Sequence, residues 1–159
     1  SSSGNTASWW EFEMNRTGRR AIMNNVTAAM GLAQLDKLSE FIEKRKNIQD
    51  IYISKLDKVG DIILPPIPEY EHTSSYYFFW IQTKYRDKLA KYLLDKGVYS
   101  TFRYWPLNKI KLFTEYVTSE FPNSDYAASH TLNIPLHQSL SDEEVNLVIS
   151  SIKNFYEQF

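Results

Sequence analysis

The chain has 159 residues and a formal net charge of -1, with 43% hydrophobic and 23% charged residues. This length suffices for one domain with its own core, and the near-neutral charge gives no global field that favours nucleic acid or an anionic membrane. The sequence contains no cysteine, which excludes disulfides and thiolate metal sites and fits a reducing cytoplasm. No apolar run approaches the roughly 20 residues that a membrane-spanning helix needs.

The opening segment, residues 1–20, has no steady hydrophobic period. Residues 1–5 lack a basic region and an apolar stretch, so we do not expect a signal peptide there and interpret them as an exposed loop. Trp9, Trp10 and Phe12 interrupt polar surroundings, which predicts a loop with aromatic anchors or, alternatively, a short strand.

A long helix is predicted next. Asn24 or Asn25 is suited to cap its start, and Gly60 is predicted to stop it. Apolar residues between these points recur near a period of 3.6: Val26, Ala29, Ala33, Leu38, Phe41, Ile42, Ile48, Tyr52 and Leu56. Glu40 and Lys44 are spaced to form a favourable ion pair on the polar side.

Four shorter elements follow the long helix. Residues 62–64 predict a short strand, which Pro65 ends. Residues 75–83 are aromatic and almost continuously apolar, which is typical of a strand. Residues 87–96 predict a helix, and residues 98–103 predict a returning strand.

The last third of the chain alternates in the same way. A short helix is predicted over residues 109–117, a second from 123 or 124 to about 130, and a brief strand over 132–134. Ser141 and Glu144 have the spacing of a capping box, which predicts the start of a final amphipathic helix. The sum predicts a small α/β or α+β domain in which helices cover a small mixed or antiparallel sheet.

Two groups of residues are candidates for binding anions. Arg16, Arg19 and Arg20 lie just before the predicted long helix, whose free N–H groups favour a phosphate or carboxylate. The alternative is a solvated basic turn. Arg103 ends a predicted strand beside Tyr104, where it is placed to bind an anionic or sugar group; the alternative is a surface arginine stacked on a neighbouring tryptophan.

Other kinds of site find little support in the sequence. His72, His130 and His137 are far apart and lack metal-ligand spacing, so we expect no metal site. His137 follows a proline in a turn and stays a candidate site residue. No glycine-rich phosphate loop and no hydrolase elbow is present, and no lysine lies in an apolar setting suited to Schiff-base chemistry.

The run AAMGLAQL at residues 28–35 places small residues between larger apolar ones, which lets a helix approach another backbone closely. This run and eight further blocks resemble, in order, the sugar-nucleotide aminotransferases, the DegT/StrS family of pyridoxal-phosphate (PLP) enzymes. The further blocks are WWEF (9–12), GRRAIMNN (18–25), LSEFIEKR (38–45), LPP (64–66), GVYST (97–101), YWPL (104–107), LNIPLH (132–137) and LSDEEV (140–145).

The resemblance implies a fold and an activity. The chain would supply the small C-terminal domain of a fold-type I (aspartate aminotransferase-like) PLP enzyme, with residues 1–23 as a loop that reaches the cofactor site and 24–159 as the domain with its connecting helix. Enzymes of this family are dimers that transfer an amino group, usually from glutamate, to a nucleotide-linked keto sugar for surface polysaccharides and glycosylated metabolites. The expected partners are therefore an N-terminal PLP-binding domain, the two substrates and a second subunit, with no nucleic acid or membrane.

The resemblance also implies roles for particular residues. Arg20 and Asn25 would contact the phosphate of PLP, and Arg103, Tyr104 and His137 would contact the sugar nucleotide. No catalytic residue is expected in this chain, because the Schiff-base lysine of the family belongs to the N-terminal domain. The fragment is therefore expected to be inactive alone.

The sequence departs from the family pattern at several positions. Arg19 and Ala21 replace tyrosines of the loop, and Asn108 stands where histidine is common. These departures leave the substrate preference open. Two alternatives also remain: a stand-alone dimerisation or interaction module without catalysis, and a fragment of a related PLP-dependent sugar dehydratase.

Overall fold

The computed structural model describes residues 17–18, 21–67 and 74–158, in two compact units, Ser1–Asp36 and Lys37–Phe159. Helix α1 (Asn25–Leu35) belongs to the first unit. Asn24 caps it, since its side-chain oxygen accepts a hydrogen bond of 2.9 Å from the backbone N–H of Thr27. The predicted aromatic anchors and the basic cluster, including Arg20, lie outside the described residues. The domain boundary after residue 23 stays a prediction.

The second unit contains four helices and two strands in its described part: α2 (Leu38–Leu56), β1 (Phe79–Gln82), α3 (Arg86–Asp95), α4 (Pro122–His130), β2 (Thr131–Ile134) and α5 (Asp142–Tyr156). Two short 3-10 turns, Leu107–Lys109 and Lys111–Tyr116, replace the short helix predicted over 109–117. The α+β fold class is confirmed, and the sheet is antiparallel. No helix of the described chain is long and apolar enough to cross a membrane.

The predicted long helix is two helices rather than one. A turn at Asp36 and Lys37 separates α1 from α2, and the break falls in the gap between Ala33 and Leu38, where the apolar period is interrupted. The prediction that Gly60 stops the helix is wrong by one turn, because α2 already ends at Leu56.

The apolar residues predicted for the start of this helix do not enter the core that the described residues form. Val26 in α1 is 71% exposed, whereas Ile48, Tyr52 and Leu56 in α2 are buried. The same periodic pattern therefore marks a buried face in α2 and an exposed face in α1. The predicted pair between Glu40 and Lys44 is confirmed on the surface of α2, with 2.7 Å between their charged atoms.

Two of the predicted strands shrink to single bridges at the edges of the sheet. Ile63 pairs only with Gln82, and Thr101 pairs only with Asn133. The segment before Thr101 does not join the sheet at its start, because the backbone N–H of Val98 donates a hydrogen bond to a carbonyl oxygen of α3 instead. The order across the sheet is therefore Ile63, β1, β2 and Thr101.

The register of β1 against β2 sorts the side chains onto two faces. Phe79 is opposite Ile134 and Ile81 is opposite Leu132, and all four are buried. This face packs against α2, α3 and α5, whose buried apolar residues are Ile48, Tyr52, Leu56, Leu89, Leu93, Val145, Val148, Ile149, Ile152 and Phe155. One core thus lies between three helices and one face of the sheet.

The end of α5 is tied to the sheet by a polar cluster. The Asp61 carboxylate accepts hydrogen bonds from the Thr83 hydroxyl at 2.7 Å, the Tyr156 hydroxyl at 2.8 Å and the Lys84 backbone N–H at 3.0 Å. Burial alone raises the pKa of Asp61, but these hydrogen bonds outweigh it and lower the pKa below its ordinary value. The Tyr156 ring also lies against Gly60, which has a φ of +56°.

We predict that Gly60→Ala destabilises the fold by about 1–3 kcal/mol beyond the cost of its backbone conformation, because the new methyl group would collide with the Tyr156 ring. The matched control is Gly97→Ala, since Gly97 also has a positive φ, +80°, but has nothing within 4 Å of the new atom. Urea unfolding of both variants measures the difference. Equal losses in the two variants would contradict the steric argument.

We predict that Asp61→Asn destabilises the fold at neutral pH by about 1.5 kcal/mol, the range of a hydrogen bond to a charged group. Because folding lowers the pKa of Asp61, its contribution is complete above the ordinary value of 3.8 and disappears as the pH falls through the folded-state pKa. The stabilities of the two proteins should therefore converge in acid. Asp57→Asn is the control, since that side chain is 63% exposed and its replacement should change the stability little at neutral pH.

Candidate functional site

The face of the sheet opposite the core carries the polar residues of the two strands. Trp80 is opposite Asn133 and Gln82 is opposite Thr131, and the Gln82 amide donates to the Thr131 hydroxyl at 3.1 Å. A cavity of about 390 Å³ lies on this face. It is lined by Phe78, Trp80, Gln82, Phe102, Arg103, Tyr104, Pro106, Ser124, Ala127, Ala128 and Thr131.

Arg103 is held beside this cavity by the edge of the sheet. Thr101 and Asn133 exchange backbone hydrogen bonds of 2.9 and 2.7 Å, and two residues later the Arg103 backbone N–H donates to the Asn133 side-chain oxygen at 3.0 Å. Arg103 also lines a second cavity of about 150 Å³. Its other lining residues are Tyr77, Phe78, Thr101, Asn133, Ile134 and Leu136. Arg103 therefore borders both cavities.

Two tyrosines meet next to this arginine. The hydroxyl oxygens of Tyr77 and Tyr104 are 3.1 Å apart, and the peptide bond between Arg103 and Tyr104 is cis. The hydrogen bond from Tyr77 and the nearby charge of Arg103 lower the pKa of Tyr104, while the same hydrogen bond raises the pKa of Tyr77. Either hydroxyl of this pair can donate the hydrogen bond to the other.

His137 lies apart from this group. It is exposed in the turn after β2, where its Nδ1 accepts a hydrogen bond of 3.3 Å from the backbone N–H of Ser139. No hydrogen bond or cavity recorded for the described residues joins it to Arg103 or Tyr104. Asn25, the first residue of α1, belongs to the other compact unit.

The alternative of an arginine stacked on a tryptophan receives no support from the recorded contacts. The cation over the Trp105 ring in the described chain is Lys109, at 5.8 Å from the centroid, and Lys109 also pairs with Asp125 at 2.6 Å. The positions that the structure describes contain no group of three histidine, aspartate or glutamate side chains placed to hold a metal ion.

Tyr77 and Asn133 lie at the candidate site but are not among the site residues that the sequence predicts. Tyr77 was hidden in an apolar run that predicts a strand, but the strand begins only at Phe79. Asn133 is a polar residue in a strand that is otherwise apolar or β-branched, and it is only 4% exposed. A buried asparagine needs hydrogen-bond partners, so its position in that strand was the one signal available.

The elements of the fold agree with one protein class. The chain belongs to the DegT/DnrJ/EryC1/StrS aminotransferase family, which it matches over residues 1–153. The dTDP-4-dehydro-2,3,6-trideoxy-D-glucose 4-aminotransferase of Saccharopolyspora spinosa is 38% identical to it over 151 residues, which cover 94% of this chain and 39% of that protein.

Solved structures of similar proteins share the fold. The aminotransferase TlmJ of Streptoalloteichus hindustanus aligns with a TM-score of 0.84 and 41% identity over 94% of this chain and 41% of that one. A Streptococcus pneumoniae protein in its PLP form aligns with a TM-score of 0.78 and 26% identity over 96% of this chain and 40% of that one. The chain thus spans about two fifths of the length of these relatives.

We predict that Tyr77→Phe raises the pKa of Tyr104 back towards its ordinary value, because the phenolate of Tyr104 loses a hydrogen-bond donor. An NMR titration of tyrosine Cζ resonances measures this change. Tyr99→Phe is the matched control, since Tyr99 is a 72% exposed tyrosine on the neighbouring segment. A Tyr104 titration that is the same in all three proteins would contradict the assigned interaction.

Proposed function

We propose that the chain is the C-terminal part of a PLP-dependent aminotransferase that transfers an amino group, from glutamate, to a nucleotide-linked keto sugar. The products would enter surface polysaccharides or glycosides, and the enzyme would work in the cytoplasm. The observation that carries the proposal is the 38% identity, over nearly the whole chain, to a protein named as a 4-aminotransferase of a dTDP-linked keto sugar.

In this proposal the open face of the sheet is the substrate side of the domain. Arg103 and Tyr104 bind the sugar nucleotide at the cavity of about 390 Å³ that both of them line. Tyr104 lines the larger cavity, where its hydroxyl can both donate a hydrogen bond to a sugar hydroxyl and accept one from it. His137 presents an exposed imidazole from the turn after β2 and contacts a more distant part of the same substrate.

The cofactor would meet the chain at the start of α1. PLP, when bound, supplies the electron sink that amino-group transfer requires. The first turn of α1 suits the phosphate of this cofactor, because it contains no acidic residue and its N–H groups carry the positive end of the helix dipole. Arg20 and Asn25 would hold that phosphate, with Arg20 supplying the charged fork.

The remaining parts of the enzyme would come from outside this chain. The Schiff-base lysine would lie in an N-terminal domain, so the chain alone would be inactive, and the complete enzyme would be a homodimer. The surface of α1 supports such contacts, because Val26, Met30, Leu32 and Leu35 are each at least 63% exposed within the single chain. Apolar surfaces of this kind are typical of protein–protein contacts.

The test is a transamination assay with L-glutamate and a dTDP-linked 4-keto sugar. We expect no turnover from the 159-residue chain and turnover once it is combined with the N-terminal domain of the same enzyme. A combined or full-length protein that binds PLP but transfers no amino group to any nucleotide-linked keto sugar would refute the proposal.

The same full-length protein tests the cofactor contact. Arg20→Ala should weaken PLP binding by about tenfold or more, the cost of a lost charge-assisted contact to phosphate. Arg16→Ala removes a neighbouring charge of the same cluster and is the control. Absorbance titration with PLP measures the affinity of both variants. Equal losses of PLP affinity would mean that Arg20 contributes only its charge and makes no specific contact with the phosphate.

A further inference from the structure

The cavity of about 150 Å³ is lined by hydrogen-bond donors of three kinds. Arg103 carries a guanidinium, Tyr77 a phenol and Asn133 a side-chain amide, and all three line this cavity. Its other lining residues offer only one hydroxyl, that of Thr101, and apolar groups: Phe78, Ile134 and Leu136. Among the described lining residues there is no carboxylate, so the wall of the cavity is positive and rich in donors.

The orientation of the Asn133 amide follows from its neighbours. The Arg103 backbone N–H donates at 3.0 Å to the side-chain oxygen of Asn133, which places the amide nitrogen on the other side. That nitrogen is buried and has no hydrogen-bond partner among the described residues. A buried donor without an acceptor costs about 1–3 kcal/mol, and this one belongs to a residue that lines the cavity.

The charge of Arg103 is also uncompensated. Its side chain is exposed, and no acidic residue of the described chain forms an ion pair with it. Its neighbours are instead the hydroxyls of Tyr77 and Tyr104. A guanidinium beside two phenols, without a carboxylate, is the arrangement that binds an external anion through charge-assisted hydrogen bonds.

The size of the cavity limits the ligand. A volume of about 150 Å³ equals the share of about five water molecules in the liquid and is below the range of pockets that enclose a whole drug-sized ligand. It therefore accommodates one small charged group rather than a sugar ring with its nucleotide. The larger cavity of about 390 Å³, which Arg103 also lines, remains for the rest of a substrate.

We infer that Arg103, Tyr77 and Asn133 form an oxyanion-binding site that takes a single carboxylate or phosphate group. This inference deepens the proposed function and rests on it only for the source of the anion, which would be the carboxylate of the amino-acid donor or a phosphate of the nucleotide sugar. It assigns Tyr77 and Asn133 to substrate binding. In this site Arg103 binds an anionic group of the substrate rather than sugar hydroxyls. His137 is not part of this site.

The test is an NMR titration of the 159-residue chain with L-glutamate and, separately, with inorganic phosphate. We expect one of the two anions to shift the Asn133 side-chain amide and the Arg103 Nε–H resonances saturably. Stronger binding of glutamate assigns the site to the amino donor, and stronger binding of phosphate assigns it to the nucleotide sugar. Absence of saturable shifts with both anions overturns the inference.

Variants separate this site from general charge. Arg103→Gln should weaken binding by about tenfold or more, whereas Arg103→Lys should lose less, because it keeps the charge but not the fork. Both changes leave the backbone hydrogen bond to Asn133 in place. Lys109→Gln removes a nearby charge outside the small cavity and is the control. Equal weakening by Arg103→Gln and Lys109→Gln overturns the inference.

A second readout uses Tyr104. A bound anion next to its hydroxyl disfavours the phenolate, so the ligand that binds should raise the pKa of Tyr104, and Arg103→Gln should abolish the ligand-dependent part of this rise. These measurements need neither cofactor nor turnover. Anion binding without transamination by the full-length protein would refute the proposed function alone, and transamination without anion binding by this chain would refute the oxyanion site alone.

Discussion

The fold and the candidate site both depend on the register of β1 against β2. Pairing Phe79 with Ile134 and Ile81 with Leu132 directs four apolar side chains into the core between α2, α3 and α5. The same pairing directs Trp80 and its partner Asn133 to the opposite face. Because side chains alternate along a strand, a shift of one residue would exchange the two faces and would remove both the core and the cavities at once.

Asn133 connects the sheet to the site. Its backbone holds Thr101 at the edge of the sheet, and its side-chain oxygen holds the backbone of Arg103. The position of the arginine is thus determined by a buried strand rather than by its own loop. Sites supported in this way keep their geometry better than sites on loops, which is the physical reason to look for binding groups here.

The exposed surface of α1 fits the proposal that this chain works together with other protein parts. The chain spans about two fifths of its relatives, and the apolar side chains of α1, such as Val26 and Met30, stay exposed within it. The core of the second unit, in contrast, is closed by its own three helices. The apolar period of α1 is therefore best understood as a contact surface in the proposed enzyme, whereas that of α2 stabilises the domain itself.

The sequence by itself determined the elements whose causes are local. These elements include the caps at Asn24 and Ser141 and the apolar periods of the helices, which depend only on residues close together in the chain. The family resemblance and the position of Arg103 at the end of an extended segment are read from neighbouring residues in the same way. Only the tertiary structure decided which extended segments pair over four residues and which keep a single bridge. It also decided that Tyr77 and Asn133 meet at Arg103, although these two residues are 56 positions apart in the chain. Such contacts depend on strand register and packing between distant segments, which no local pattern encodes.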